Sequence, residues 1–410
     1  MKPQNGDGLK GLTKLSFAFF LAIAFLVTSC KKDPMVAPVS PATTTSTASS
    51  PATSTTATTG ASATPTTTTT PASGTTTATT PATGTAAPTV AATPATGGST
   101  TGATPVTTTS SSSTAAAATT TASSSPYTAS AVINLTGAHD LTISGKSING
   151  GSVPAITLTN CYNVHITANE LGNSKDVGIL LYNCYNVTVD HNNISNVSTG
   201  VYVVNSPNGG IIITGNQFKN MVGPMPRGQF VQFNTVGGAN NSISYNKGEN
   251  VYGSSNPEDA INLYKSNGTA SSPIQVVGNW IRGGGPSATG GGIMLGDTGG
   301  SYEVAANNVL VDPGQYGMAI AGGDHMSITN NEIYGRSQSF TNIGLYIWGQ
   351  SGSACTNSTI SGNQVKFFNN SNTENDAWVG TGETTPSGWS SNTFGANISA
   401  SILPSTVVSF

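Results

Sequence analysis

Residues 177–195, VGILLYNCYNVTVDHNNIS, carry a pattern that repeats through most of the chain after residue 130. The pattern ends with an aliphatic residue, two further residues, an asparagine, one residue and a second aliphatic residue, here Val189, Asn192 and Ile194. With two imperfect matches included, the marked positions are 146, 169, 192, 216, 246, 279, 307, 331 and 363. Successive positions lie 23 to 33 residues apart, and a basal period of 23 with insertions indicates a solenoid.

Short segments in each repeat place an apolar side chain at every second position, as in GILL at 178–181, GVYV at 200–203 and AINL at 260–263. A period of two predicts β-strands, and the glycines and asparagines that interrupt the segments argue against helices. One repeat has room for three short strands and three bends. The predicted fold is therefore all-β, a parallel β-helix of about nine coils stacked at about 4.8 Å per coil.

The repeat form of residues 130–368 resembles that of the right-handed parallel β-helix proteins, the pectate-lyase-like superfamily. The resemblance implies a right-handed β-helix in which residues one repeat apart lie above one another. It leaves the function open, because a single fold hosts many functions.

The N-terminus has the form of a secretion signal. Lys2, Lys10 and Lys14 precede an apolar run at residues 15–27 that is short for a permanent membrane span. Residues 27–30, VTSC, resemble a bacterial lipobox, which implies that residues 1–29 are a lipoprotein signal peptide and that Cys30 carries the lipid. An ordinary signal peptide is the alternative. Lys31 after the cysteine favours the outer membrane, at the cell surface or on the periplasmic face.

Residues 34–125 consist almost entirely of Thr, Ser, Ala, Pro and Gly, without a charged residue. Such a composition cannot bury enough apolar surface to fold, so we predict a disordered linker over residues 30–125. Residues 126–410 are predicted to be one β-helix domain, with residues 369–410 as its C-terminal cap, because solenoid ends need covering. We expect a monomer that touches the membrane only through its lipid.

The charge and the spacing of histidines and cysteines limit the classes of ligand that the chain is expected to bind. Charged residues make up 8% of the chain and the formal net charge is -3, so a nucleic-acid partner is not expected. The histidines and cysteines show no metal-ligand spacing. Cys161 and Cys184, 23 residues apart, are predicted to stack on adjacent coils, as free thiols rather than as a disulfide. The repeated asparagines are predicted to have a structural role.

Insertions indicate where a ligand binds. They fall between each asparagine strand and the next strand, at residues 221–228, 248–257, 283–291, 311–315 and 335–342, so we expect them along one edge. In repeat proteins such an edge commonly walls a binding surface. The adjacent strands present aromatic and amide side chains that suit sugar rings. The predicted residues that bind a polysaccharide are Arg227, Gln232, Asn262, Tyr264, Tyr346 and Trp348.

Charged residues cluster in residues 257–266, PEDAINLYKS. This segment resembles the β-helix lyases of the chondroitinase B and alginate lyase family, in which a Glu seven residues before a Lys-Ser pair binds calcium and the Lys removes the sugar proton. Glu258 and Lys265 match that spacing, whereas Ala260 departs from the family's second Glu. The resemblance implies Lys265 as the base and Glu258 as a calcium ligand. Asp259, the adjacent carboxylate, is a second candidate ligand for Ca²⁺.

Three functions stay open, and among the enzymatic ones a polysaccharide lyase is favoured over a glycoside hydrolase. The first is β-elimination of a uronate-containing polysaccharide by Lys265, with Arg282 or calcium neutralising the carboxylate and Asp297 on the next coil. In this region Lys265 and Asp297 are equally well explained as a simple ion pair. The second is hydrolysis by paired carboxylates drawn from Asp259, Asp297 and Asp312. The third is a non-catalytic, adhesin-like glycan-binding protein.

Overall fold

The computed structural model describes residues 126–224 and 227–410. In these residues the chain forms thirty β-strands, β1 to β30, and two 3-10 helices, Trp389–Ser391 and Ala400–Ile402. The all-β prediction is confirmed. The predicted signal peptide, Cys30 and the linker lie outside the described residues.

The strands stack in parallel on three faces. Face 1 consists of β1 (Thr128–Ser130), β4 (Lys146–Gly151), β7 (Glu170–Ser174), β10 (Asn193–Val197), β13 (Gln217–Lys219), β16 (Lys247–Glu249), β19 (Trp280–Arg282), β21 (Val309–Val311), β24 (Glu332–Gly335), β28 (Gln364–Phe367) and β30 (Thr393–Phe394).

Face 2 follows face 1 along the chain. It consists of β2 (Ile133–Thr136), β5 (Ile156–Thr159), β8 (Ile179–Tyr182), β11 (Val201–Ser206), β14 (Val231–Val236), β17 (Ile261–Asn267), the first half of β20 (Ile293–Ala306), β22 (Tyr316–Ile320), β25 (Ile343–Ile347) and β29 (Ala377–Val379). The described residues thus form ten coils, against about nine predicted.

Face 3 completes each coil. It consists of β3 (His139–Ser144), β6 (Tyr162–Thr167), β9 (Tyr185–Asp190), β12 (Ile211–Thr214), β15 (Ser242–Ser244), β18 (Ile274–Val277), the second half of β20, β23 (Gly323–Thr329), β26 (Cys355–Thr356) and β27 (Thr359–Ser361). Faces 2 and 3 are continuous because β20 runs through the bend between them.

The core consists of inward-facing aliphatic side chains that stack from coil to coil. On face 2 the strand register places Ile179, Val201, Val231, Ile261 and Ile293 in one column, and all of them are buried. Burying each such side chain stabilises the fold by about 1.5–3 kcal/mol. The period of two in the sequence is the direct cause of this column.

A ladder of asparagines runs inside the bend before face 1. Asn216 is typical, because its backbone N–H and its Nδ2 both donate to Oδ1 of Asn246, each at 3.0 Å, and its Nδ2 also donates to the carbonyl of Val189 at 2.9 Å. The ladder contains Asn169, Asn192, Asn216, Asn246, Asn279, Asn308, Asn331, Asn363 and Asn392. These bonds satisfy buried backbone groups, so the structural interpretation of the asparagines is confirmed.

One coil departs from the predicted register. The sequence pattern marks Val304 and Asn307, but the structure buries Ala305 and Asn308 and exposes Asn307, whose φ is 55°. The pattern favours the larger aliphatic residue, whereas the inward position is taken by Ala305, next to the buried Glu303. The prediction was therefore wrong by one residue at this coil.

The cysteines and the C-terminus complete the fold. Cys161 and Cys184 are buried free thiols, as predicted. Trp389 packs against the core and its ring lies 5.2 Å from that of Phe394 beside the last coil. Residues 400–410 then run back along the outside of face 1, where the backbone N–H of Val407 donates to Glu249 at 2.8 Å.

Candidate functional site

The outer side of face 2 carries two rows of side chains, set by the strand register. Row a consists of Leu180, Tyr202, Gln232, Asn262, Met294, Ala319, Tyr346 and Trp378. Row b consists of Tyr182, Val204, Asn234, Tyr264 and Asp297. Four of the six residues predicted to bind polysaccharide, Gln232, Asn262, Tyr264 and Tyr346, lie in these rows.

The predicted insertions lie between face 1 and face 2 and wall these rows. The side chains of Tyr202, Asn262 and Tyr346 point away from the core, but they are only 8%, 3% and 1% exposed. Trp348 follows β25 and its ring lies 5.8 Å from that of Trp378, at the end of the row. These outward-facing side chains are therefore largely covered. We call the outer side of face 2, with its aromatic, amide and carboxylate groups and the insertions beside it, the cleft.

Two aspartates from adjacent coils share one amide in this cleft. Nδ2 of Asn262 donates to Oδ2 of Asp259 at 2.7 Å and to Oδ2 of Asp297 at 2.9 Å. Since both oxygens bind one nitrogen, they lie within about 5.6 Å of each other, the sum of the two bond lengths. Oδ1 of Asn262 in turn accepts from Nε2 of Gln232 at 2.7 Å, which fixes the orientation of the amide.

Asp259 is held from three sides at the entrance to β17. Besides Asn262, the backbone N–H of Gly291 donates to its Oδ1 at 3.1 Å, and the hydroxyl of Tyr316 donates to the same atom. Burial, followed by the charge of Asp259, raises the pKa of Tyr316 well above its ordinary value of 10, so this phenol stays protonated as a donor. Asp259 is 1% exposed, whereas Asp297 is half-buried.

A bulge in β20 turns Asp297 toward the cleft. The register with β17 shifts between Asn262 and Tyr264, and Gly296 occupies the extra position with a φ of 64°. A Cβ at Gly296 would lie 1.9 Å from the carbonyl oxygen of Gly322, so only glycine fits. The backbone N–H of Gly296 donates to Glu303 in the interior at 2.8 Å.

The Glu258 carboxylate faces hydroxyl groups. Ser287 and Thr289, on the 283–291 insertion, donate to its two oxygens at 2.6 Å each. Both acidic side chains of the predicted calcium site thus accept from N–H and O–H donors, which do not fit a hard cation. In the described parts of the chain, no group of three or more His, Cys, Asp or Glu side chains is placed to bind a metal ion. No step is therefore derived through calcium.

Arg227 lies one coil before Glu258. Its guanidinium stacks over the ring of Tyr202, 4.0 Å from the ring centroid. Its Nη1 is buried and has no hydrogen-bond partner among the described residues. The hydroxyl of Tyr202 accepts from Nδ2 of Asn234 at 2.9 Å, which holds the ring. This arrangement presents a positive charge at the cleft beside an aromatic ring.

The residues of the predicted lyase reaction are not brought together. Lys265 is exposed and its ammonium lies 5.2 Å from the ring centroid of Tyr264. Tyr264, and not Lys265, is the register partner of Asp297. Arg282 belongs to face 1, where its Nη2 donates to the carbonyls of Ala400 and Leu403 at 2.7 and 2.9 Å. Asp312 pairs with Arg336 at 3.0 Å, outside the Asn262 network.

Sequence reasoning missed Tyr316, Ser287, Thr289 and Gly291. The two hydroxyl residues lie in an insertion that was predicted to wall the site, but no motif singled them out. Tyr316 is 57 residues from Asp259 along the chain. Its role follows only from the stacking of two coils.

The sequence profile of the family described as right handed beta helix region matches residues 102–218 and 131–309, which together cover half of the chain. The chain belongs to this right-handed β-helix family. The family resemblance stated from the repeats is thereby confirmed, and the handedness of the β-helix is that of the family.

Two solved structures are similar to this β-helix protein in fold. Geobacillus virus E2 ORF18 is 14% identical with a TM-score of 0.38, and the match covers 56% of this chain and 42% of that one. The catalytic domain of a GH87 alpha-1,3-glucanase in complex with nigerose is 11% identical with a TM-score of 0.37, and the match covers 66% of this chain and 64% of that one. The match thus spans less than two thirds of the length of either structure. A comparison with curated proteins finds no match.

Proposed function

We propose that this β-helix protein binds an extended, uronate-containing polysaccharide along the outer side of face 2 and hydrolyses a glycosidic bond with Asp259 and Asp297. The observation that carries the proposal is the single Asn262 amide that holds both carboxylates in one cleft. Two like charges this close are costly for stability, and such pairs are concentrated at functional sites. Glycoside hydrolysis needs two carboxylates that flank the bond.

The environments of the two aspartates suggest different roles. Asp297 is the more exposed and takes the role of the general acid that protonates the leaving oxygen. Asp259 accepts hydrogen bonds from Asn262, Gly291 and Tyr316, so its carboxylate suits stabilisation of the positively charged sugar ring. The Asp259 and Asp297 oxygens lie within about 5.6 Å of each other, a separation typical of retaining enzymes, in which the second carboxylate acts on the sugar ring and not on water. Asn262 and Gln232 are positioning residues that keep the two groups aligned.

Arg227 supports an acidic substrate. Its buried Nη1 has no partner in the described residues, and a guanidinium binds a carboxylate through paired N–H groups. The partly exposed Trp348–Trp378 pair supplies rings that pack against the apolar faces of sugars, whereas the largely buried Tyr202 ring holds the Arg227 guanidinium. We assign them to substrate binding rather than to the chemistry.

The test uses the full-length chain in detergent with polygalacturonate, alginate, chondroitin and a neutral glucan, each with and without EDTA. New reducing ends are measured together with absorbance at about 232 nm, where the double bond left by elimination absorbs. Hydrolysis predicts reducing ends without absorbance, unaffected by EDTA. Asp297→Asn and Asp259→Asn should each lower the rate about 100-fold or more. Asp140→Asn, an exposed aspartate on face 3, is the matched control.

Other outcomes identify other functions. New absorbance that disappears in Lys265→Ala would establish the lyase instead. Retention of a polysaccharide by the wild type without reducing ends or absorbance would make the protein a binder. The near-complete burial of Asp259 favours that second candidate, because a buried carboxylate also serves to rigidify a binding surface.

We further propose that the β-helix acts on polysaccharide outside the cell, at the end of the linker and anchored by lipid on Cys30. The support is the sequence of residues 1–125 alone. In the described part of the chain, no helix has the length and apolar character needed to cross a membrane.

A further inference from the structure

A second cavity lies on the face 1 side of the walling insertions. Its volume is about 340 Å³, at the lower end of the range for ligand sites. The walls come from the ends of β16 and β19, from the following insertions and from Ser405 of the C-terminal segment. Its lining residues are different from those of the Asp259–Asn262–Asp297 network.

Three residues that line this cavity carry N–H groups without a partner. Nδ2 of Asn250, Nε of Arg282 and Nε2 of Gln338 are buried and have no hydrogen-bond partner among the described residues. Asn250 is 5% exposed and cannot turn its amide freely, because its Oδ1 accepts from the backbone N–H of Met221 at 2.9 Å. Buried polar groups are normally paired with protein, water or ligand, so three unpaired donors around one cavity make it a candidate binding site.

The same cavity also contains acceptors, and its charges balance. The acidic residues that line the cavity are Glu249 and Asp312, which are 8% and 7% exposed. The basic residues that line it are Arg282 and Arg336, so the formal charges of the wall sum to zero. A ligand with a strong net charge of either sign gains little from such a wall. A ligand whose hydroxyl groups both accept and donate hydrogen bonds matches these donors and carboxylates.

An aromatic ring stands at this cavity. Tyr252 lines it and is 65% exposed, and its ring is steadied by a stack on Phe340 with centroids 6.1 Å apart and planes at 24°. An exposed ring that is held in place beside polar groups offers an apolar surface to the face of a sugar ring.

We propose that this cavity is a second carbohydrate site that binds a neutral sugar residue, with Tyr252 as the stacking surface and Asn250, Arg282 and Gln338 as donors to its oxygens. The site is independent of the proposed hydrolysis, since it lies outside the aspartate network. It serves to hold the polysaccharide, or a neutral stretch of it, while the cleft acts elsewhere on the chain.

The test is binding of the full-length chain to an array of neutral oligosaccharides of glucose, xylose, mannose and galactose, with uronate oligomers printed alongside. Every variant also carries Asp297→Asn, so that cleavage cannot remove the printed glycans. Tyr252→Ala should lower the signal on the neutral glycans about tenfold. Asn250→Asp, which keeps the acceptor for Met221 and removes the donor, should lower it as well.

Tyr245→Ala is the matched control, because Tyr245 is 67% exposed but does not line the cavity. Loss of neutral-glycan binding in Tyr252→Ala and Asn250→Asp, with binding kept in Tyr245→Ala, supports the second site. Equal signals in all three variants, binding confined to uronate oligomers, or no binding to any neutral glycan would each overturn it. None of these outcomes depends on whether the cleft hydrolyses its substrate.

Discussion

At the scale of single residues, Glu303 stands apart because it is fully buried among the core side chains of face 3. One carboxyl oxygen accepts from Gly296, and the other, Oε1, has no hydrogen-bond partner among the described residues. Burial raises the pKa of Glu303 well above its ordinary value of 4.5, and the charge of Asp297 adds to the rise. The neutral acid supports the bulge that directs Asp297 into the cleft, at a cost in stability.

Glu303→Gln should therefore change how stability depends on pH. Above pH 4.5 the unfolded wild type releases a proton that the folded protein retains, so its free energy of unfolding falls by about 1.4 kcal/mol per pH unit until the raised pKa is reached. Glutamine keeps the acceptor for Gly296 and does not titrate. The difference in stability between Glu303→Gln and the wild type, measured by urea unfolding, should thus shift in favour of the variant as the pH rises above 4.5.

Glu332→Gln is the control for this prediction, because Glu332 lies on the outside of face 1. Its stability profile should run parallel to that of the wild type. If Glu303→Gln also ran parallel, then Glu303 would be ionised in the folded protein and the account of its burial would fail.

At the scale of elements, the C-terminal segment 400–410 covers apolar side chains on the outside of face 1. Leu403, Val407 and Val408 pack against Val311, with Tyr334 partly buried beside them. Ser409 adds two contacts to Oε1 of Gln217, at 2.8 and 3.1 Å. The segment therefore ties several coils together from outside, in addition to the hydrogen bonds between strands.

Val407→Asp should detach this segment, because the new carboxylate would be buried beside Glu249. We expect faster amide hydrogen exchange in β19, β21 and β24, measured by mass spectrometry, and a lower melting temperature. Val132→Asp is the control, since Val132 is already 41% exposed and should tolerate the charge. Unchanged exchange in Val407→Asp would show that the segment contributes nothing to the stability of face 1.

At the scale of the whole molecule, stacked coils explain how one core extends over residues 126–410. Each coil pairs its backbone and its ladder asparagine with its neighbours, so coils are added without a larger globular core. The same arrangement places loops from different coils next to one another. Gly228, for example, lies against the backbone of Pro257 and Glu258 in the next coil.

The predicted location of the molecule is tested at Cys30. In a bacterium that expresses the full-length chain, Cys30→Ser should move the protein from the membrane fraction to the soluble fraction, because the variant cannot receive the proposed lipid anchor. Fractionation followed by intact mass measurement detects both the shift and the missing lipid. Cys355→Ser is the control. A wild-type protein without a lipid would show instead that residues 1–29 are an ordinary signal peptide.

The sequence by itself determined the coil, its strands, the asparagine ladder and the edge on which the insertions lie. Each of these depends on a period of two or on a repeat of 23 to 33 residues, both of which can be read along the chain. Even there, Ala305 and Asn308 show that the pattern cannot choose between adjacent residues, because Val304 and Ala305 are both apolar and only Ala305 is buried.

Only the tertiary structure decided the site. The bulge at Gly296 aims Asp297 at the amide of Asn262, and the stacking of coils brings Tyr316 to Asp259 across 57 residues. The C-terminal segment 400–410 runs back along face 1 and brings Val407 to Glu249, 158 residues earlier in the chain. Its Ala400 carbonyl also accepts a hydrogen bond from Arg282. These contacts depend on register shifts and on chain reversal, and hydrophobic periodicity contains no information about either.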